Sequence, residues 1–143
     1  SFGGNPVSCE IAKTVLEVIE EEGLQEHAER VGSFLLQELN SMTSFQLSIL
    51  SVQKGLSGRK ETKVLEVRGS GLFLGIELVK DLDDLEPDAE AASAIVNHMK
   101  VRGFLLSTDG PYENVIKFKP PMCFSMENAK ELLKEFNLLK TEH

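Results

Sequence analysis

The stretch KVLEVRGSGLFLGIELVKD, residues 63–81, constrains the fold of this chain more than any other. Strand-forming apolar residues lie on both sides of Gly69 and Gly71, so the pattern predicts two strands separated by a glycine break. The spacing G-x-G-x-x-x-G resembles a dinucleotide-binding loop, but the strand-like run LFLGIEL follows Gly71 where that loop requires a helix. The sequence therefore predicts a sheet in which these glycines permit a bend or close backbone packing.

Apolar residues recur at helical spacing in four other places, and each predicts a helix. The first helix runs from Pro6 to about Glu22, with Asn5 as its N-cap, and Gly23 stops it. Ser125 caps the last helix. The four apolar stripes are Val7, Ile11, Val15 and Ile19; Leu24, Ala28, Val31, Leu35 and Leu39; Ala92, Ile95, Val96 and Met99; and Ala129, Leu132, Leu133, Phe136 and Leu139.

Two further strands, FLLS at 104–107 and VIKFK at 115–119, flank the turn sequence TDGPYEN. The order α-α-β-β-α-β-β-α predicts an α/β domain of the α+β two-layer kind, a small, mainly antiparallel sheet covered on one face by helices. Residues 41–63 are serine-rich and unusually long for a connection. Their alternating apolar positions leave two alternatives open, a strand or an ordered loop.

Charge and composition exclude several functions. With 15 basic and 23 acidic residues the net charge is −8, which disfavours nucleic acid and anionic membrane surfaces as partners. No apolar run approaches the roughly 20 residues of a membrane span. Cys9 and Cys123 are expected to be free thiols, with Cys123 buried. The three histidines lack ligand spacing, so no metal site is expected.

The opening stretch SFGGNPVSCE leaves two alternatives open. The free N–H groups and positive dipole of a helix that starts at Pro6 suit an anion such as a phosphate. The stretch can equally be a capped helix start and nothing more. Because there is no initiator Met, we expect a fragment whose targeting signal, if any, lies outside these residues. The two free thiols indicate a reducing compartment, and we expect an intracellular location, in the mitochondrial matrix or the cytoplasm.

Three stretches, SFGGNPVSC, VRGSGLFLGIEL and LLSTDGPYENVIKFKPPMCF, follow one another in an order and at distances that resemble the C-terminal part of class III pyridoxal-phosphate-dependent aminotransferases. They resemble the phospho-lyase branch in particular, which contains ethanolamine-phosphate phospho-lyase and 5-phosphohydroxy-L-lysine phospho-lyase. The last block leans toward the phosphohydroxylysine enzyme. The resemblance implies an interdomain helix with a glycine loop (1–22) and a C-terminal small domain of fold type I (23–143), in which 41–63 is an atypical insertion.

The resemblance also implies site residues. In place of the family's Thr, Ser1 would reach the pyridoxal phosphate of the partner subunit at its phosphate group, and Phe2 and Gly3 would shape the loop beside it. None of the eleven lysines stands in the family's Schiff-base motif, which lies upstream of Ser1, so no catalytic residue is assigned and the fragment itself is expected to be inactive. Lys117 occupies the place of an arginine that grips the substrate carboxylate in many relatives, and Lys119 is the alternative.

For the full-length protein the resemblance implies a homodimer or dimer of dimers. Such an enzyme would eliminate phosphate from a small phosphorylated amine and give an aldehyde, ammonia and phosphate. Two alternatives stay open: an ordinary class III aminotransferase that transfers the amino group to a keto acid, and a non-catalytic α/β binding module.

Overall fold

The computed structural model describes residues 3–43, 46–48 and 61–140. Within these residues the helices are α1 (Pro6–Glu21), α2 (Leu24–Asn40), α3 (Ala89–Val101) and α4 (Met126–Asn137). The strands are β1 (Gln46–Ser48), β2 (Glu61–Ser70), β3 (Phe73–Val79), β4 (Ser107–Asp109) and β5 (Val115–Phe118). They form one sheet in the order β1-β2-β3-β5-β4, and every neighbouring pair is antiparallel.

The sheet is covered by helices on one face, as predicted. Val67, Ile76 and Ile116 are buried at neighbouring positions on that face of β2, β3 and β5. Side chains of α2, α3 and α4 complete the core, and all five predicted apolar positions of the last helix are buried. Each fully buried aliphatic side chain contributes about 1.5–3 kcal/mol, so this two-layer packing holds the domain together.

The predicted helix boundaries are confirmed by capping contacts. The Asn5 side chain accepts hydrogen bonds from the backbone N–H groups of Val7 (2.9 Å) and Ser8 (3.3 Å). Gly23, with φ +60°, separates α1 from α2 in the left-handed conformation that favours glycine. At the start of α4, Ser125 forms a reciprocal capping box with Asn128.

The predicted bounds of the strand at 104–107 were wrong, because β4 is Ser107–Asp109. The end of α3 explains the shift. The Phe104 N–H donates to the Met99 carbonyl (2.9 Å), and Gly103 has φ +93°. Residues 104–106 are therefore used to close the helix and return the chain to the sheet.

The segment 41–63 contains a strand that the predicted element order lacked. Residues 46–48 pair with β2, and the buried Leu47 also bridges to Lys140. The strand alternative is thereby confirmed for these three residues. Phe45 and Ile49, the other two alternating positions, lie outside the described residues.

Cys123 was predicted to be buried and is exposed. It lies in the turn after Pro120 and Pro121, and its neighbour Phe124 takes the inward position. The Phe124 N–H donates to the Pro121 carbonyl (2.9 Å), and its ring packs edge-to-face on Phe118 at 5.3 Å between centroids. One short turn has room for one inward side chain, and the larger aromatic ring occupies it.

Helix α2 crosses the β2–β3 turn in very close backbone contact. A Cβ atom built on the buried Gly32 would overlap the carbonyl group of Gly71. Gly71 itself has φ +53° in the turn. The predicted close backbone packing at the glycine break is confirmed, and its partner in α2 is a second glycine.

Helix α1 differs from the other helices in that none of its residues is buried. Its apolar face is open, with Val7 68%, Ile11 60% and Leu16 66% exposed. Exposed apolar surface of this kind promotes association. The role of residues 1–22 as an interdomain helix stays a prediction.

We expect the isolated chain to self-associate through this α1 face. Replacing Ile11 and Val15 with glutamate should reduce the associated fraction severalfold, because each change places a charge within the apolar stripe. Lys13→Glu changes the net charge by the same −2 at an exposed position on the opposite side of the helix, so it is the control and should change little. Sedimentation velocity over a concentration series measures the effect, and a strictly monomeric unmodified chain contradicts it.

Candidate functional site

The sheet face opposite the helices carries two cations on either side of a glycine. Arg68 on β2 lies opposite Gly75 on β3, and Gly75 lies opposite Lys117 on β5. Ser107 on β4 continues the row beyond Lys117. Because side chains of facing residues point to the same side of a sheet, Arg68 and Lys117 lie on one face with no side chain between them.

A groove of about 520 Å³ follows this row. Its volume lies within the range of small-molecule sites in proteins. A Cβ atom on Gly75 would approach Val115 Cγ1 to 3.1 Å, so the missing side chain keeps the middle of the groove open. The lining includes Arg68, Ser70, Phe73, Gly75, Asp109 and Lys117.

Lys117, the predicted substrate-binding residue, is bound to a single carboxylate. Its Nζ donates to Asp109 Oδ2 at 2.8 Å, and the side chains are 34% and 54% exposed respectively. The second oxygen of Asp109 accepts from the Gly110 N–H, also at 2.8 Å. The hydrogen bond from Lys117, followed by that from Gly110, lowers the pKa of Asp109 below its ordinary value.

Arg68 is bound to two carboxylates. Its Nη1 donates to Glu77 Oε2 at 2.7 Å and to Glu66 Oε2 at 3.1 Å. The hydrogen bond to Glu77 is the largest cause that raises the pKa of Arg68. Two negative charges exceed the single positive charge of the guanidinium, so an incoming anion is repelled there more strongly than at Lys117.

Lys119, the alternative candidate, lies on the same side of the chain as Lys117 but serves a different contact. Its Nζ lies 5.7 Å from the centre of the Phe73 ring, a cation–π arrangement. Phe73 is 55% exposed and lines the groove. Of the two lysines, Lys117 is the one among the lining residues.

At the other predicted site, Gly3 forms an exposed turn with Gly4, whereas Ser1 and Phe2 lie outside the described residues. A Cβ atom on either glycine would meet no atom within 4 Å, so the backbone is open to a neighbouring group. Asn5 already occupies the first free N–H groups of α1. The glycine turn therefore leaves its backbone accessible, whereas the start of α1 is already capped.

The family model for class III aminotransferases matches residues 1–139. The chain belongs to the class III aminotransferase family. Members of this family use pyridoxal phosphate. The resemblance based on the three motifs is confirmed for the family as a whole. The family match favours an enzyme fragment over a separate binding module.

The relatives to which this chain is similar include proteins named as aminotransferases and proteins named as phospho-lyases. "Alanine--glyoxylate aminotransferase 2-like" from Drosophila melanogaster is 48% identical over 138 residues, 95% of this chain and 25% of the relative. "Ethanolamine-phosphate phospho-lyase homolog 1" from Caenorhabditis elegans is 37% identical over 132 residues, 92% of this chain and 25% of the relative. The chain thus spans about a quarter of the length of these relatives.

Solved structures of the family share the fold. A phospholyase from Arthrobacter in complex with phosphoethanolamine superposes with a TM-score of 0.75 at 31% identity, over 96% of this chain and 29% of that one. A Bacillus anthracis aminotransferase gives 0.74 at 31% identity, over 96% and 28%. The α/β architecture predicted for the C-terminal part of the family is therefore confirmed.

Sequence reasoning did not identify Arg68, Gly75 or Asp109 as parts of one groove. The alternation of β2 and β5 places Arg68 and Lys117 on defined faces, but only the strand order brings those faces together. Among the described residues, no cluster of His, Cys, Asp and Glu could hold a metal ion. Nor does any described helix have both the length and the apolar character needed to cross a bilayer.

Proposed function

We propose that this chain is the C-terminal part of a pyridoxal-phosphate-dependent phospho-lyase, with an interdomain helix in 1–22 and a small domain in 23–143. The full-length enzyme would eliminate phosphate from a phosphorylated amino alcohol or from 5-phosphohydroxy-L-lysine. The observation that carries the proposal is Lys117, a cation held by one carboxylate at the edge of an open groove. It stands where many relatives are expected to carry an arginine.

The chemistry of lysine favours a phosphate over a carboxylate at this position. Arginine presents a planar fork that matches the two oxygens of a carboxylate. Lysine presents a compact charge on a flexible stem, with three donors that can follow the oxygens of a tetrahedral phosphate. In this proposal Lys117 orients the phosphorylated end of the amine and releases it after the C–O bond breaks.

The cofactor would supply the electron-withdrawing group that makes elimination from an amine feasible. From this chain, Ser1, Phe2 and Gly3 would line the cofactor phosphate of the partner subunit in a homodimer or dimer of dimers. The open backbone at Gly3 and Gly4 supports that placement. The lysine that binds the cofactor would come from the part of the enzyme that precedes Ser1.

An ordinary class III aminotransferase is the second candidate, and the name of the 48% identical Drosophila relative favours it. Relatives from Arabidopsis thaliana and Homo sapiens are named as mitochondrial. Their names support a mitochondrial location for the full-length protein.

Product analysis of the full-length enzyme separates the two candidates. With ethanolamine phosphate or 5-phosphohydroxy-L-lysine we expect equal amounts of phosphate and ammonia, without a keto acid as acceptor. Alanine with glyoxylate is the matched control and should be transaminated poorly. Efficient amino transfer with no phosphate release would overturn the lyase assignment.

A further inference from the structure

We propose that Asp109 is a specificity-determining residue of the groove, because it is an internal counter-ion of Lys117 that the anionic group of a ligand must displace. The proposal rests on the proposed function in that Lys117 is the residue that receives this group. It adds a substrate class: amines whose phosphomonoester group displaces the Asp109 carboxylate from Lys117.

The geometry makes Asp109 a competitor fixed in place. Asp109 lies opposite Val115, one diagonal step from Lys117 on the same face of the sheet. The Gly110 N–H holds one carboxylate oxygen, and Lys117 Nζ contacts the other. The Asp109 carboxylate is therefore held by the backbone of its own turn. A free ligand loses translational and rotational entropy when it binds Lys117, and Asp109 does not.

Among the cations that line the groove, Arg68 is a poorer partner for an anion than Lys117. Arg68 is bound to both Glu66 and Glu77, whereas Lys117 is bound to Asp109 alone. A ligand carboxylate that replaces Asp109 exchanges one carboxylate for another. A phosphomonoester carries a charge of about −1.5 to −2 and three acceptor oxygens, so it forms the stronger contact with Lys117.

The same contact accommodates ligands that lack an anion. A neutral group can enter the groove while Lys117 stays bound to Asp109, so no cation is left desolvated and unpaired. An anionic group must first break the pair. Removing the Asp109 charge should therefore shift the binding preference toward anionic ligands. An anionic ligand then meets no competitor, whereas a neutral ligand leaves Lys117 without a negative partner.

The test is an NMR titration of the 143-residue chain that carries Ile11→Glu and Val15→Glu, which reduce the expected association through α1; binding is followed at the Gly110 and Lys117 amides. We expect Asp109→Asn to tighten binding of inorganic phosphate roughly two- to fivefold, which is the range for exposed ion pairs when it is expressed as a ratio of dissociation constants. Asp83→Asn, which removes the charge of an exposed aspartate in the loop after β3, is the matched control and should leave binding unchanged. Binding of ethanolamine, which has no anion, should not tighten in Asp109→Asn.

Each contrary outcome has a distinct meaning. Unchanged or weaker phosphate binding by Asp109→Asn would show that Asp109 positions Lys117 and would overturn the inference, while phosphate release by the full-length enzyme could still support the lyase. Phosphate shifts that persist unchanged in Lys117→Ala would remove Lys117 from the site and overturn both. Tighter binding of pyridoxamine phosphate than of phosphoethanolamine would assign the groove to a cofactor phosphate and would also overturn the inference.

Discussion

Replacing Gly32 with alanine is expected to destabilise the domain by about 3 kcal/mol, the upper range for forcing extra volume into a packed interior. Gly32 is buried in α2, and a Cβ atom there would overlap the backbone carbonyl of Gly71. A backbone carbonyl in a tight turn cannot move aside as a flexible side chain can. The free energy of unfolding from urea denaturation measures the effect.

Helix propensity alone would make Gly32→Ala raise the free energy of unfolding, whereas the close contact with Gly71 lowers it. In an exposed helix a glycine-to-alanine change stabilises by up to about 1 kcal/mol. Ser33→Ala, at the exposed neighbouring position of the same helix, is the control and should change the unfolding free energy by less than about 0.5 kcal/mol. A Gly32→Ala protein that is more stable than the parent would show that α2 does not cross the turn this closely.

Replacing Lys117 with alanine in the full-length enzyme is expected to lower kcat/KM for a phosphorylated amine roughly 10- to 100-fold. A hydrogen bond to a charged group contributes about 1.5–3 kcal/mol, and about 1.4 kcal/mol corresponds to a factor of ten. The loss should appear with phosphorylated substrates. The visible absorbance of the bound cofactor should stay intact, because Lys117 is assigned to the substrate.

Lys119→Ala is the matched control for this experiment. It removes the same charge two residues along the chain, from a side chain that lies over Phe73. Its effect on kcat/KM should be less than about threefold. Equal effects of the two substitutions would mean that the general positive charge of the sheet face, and not Lys117, acts on the substrate.

The helices were predictable from the sequence because their signals are local. Asn5 and Ser125 bond to N–H groups two or three residues away. The apolar stripe of α4 lies on one side of a single helix, so 3.6-residue periodicity is sufficient to identify its buried face. The β2–β3 pairing was predictable for a similar reason, since the two strands are adjacent in sequence.

The predictions that were wrong or incomplete concern competition between neighbours for the interior. Cys123 and Phe124 are both apolar enough for the core, and the shape of one turn decides that the ring enters. The start of β4 depends on how many residues are used to close α3. The sequence pattern does not contain these choices, because each depends on space that distant elements leave free.

Some residues of the candidate site were identified from the sequence, and others were brought into it only by the tertiary structure. The resemblance carried by the stretch LLSTDGPYENVIKFKPPMCF identified Lys117, and strand alternation placed Lys119 on the same side. Only the sheet order β2-β3-β5 brings Arg68 and Lys117 to either side of Gly75 and makes a groove between them. Local periodicity and capping residues thus determined the four helices and the strands β2, β3 and β5. Contacts between residues far apart in sequence decided the pairing of β1, the start of β4 and which charges meet, because strand order is set by packing of the whole domain.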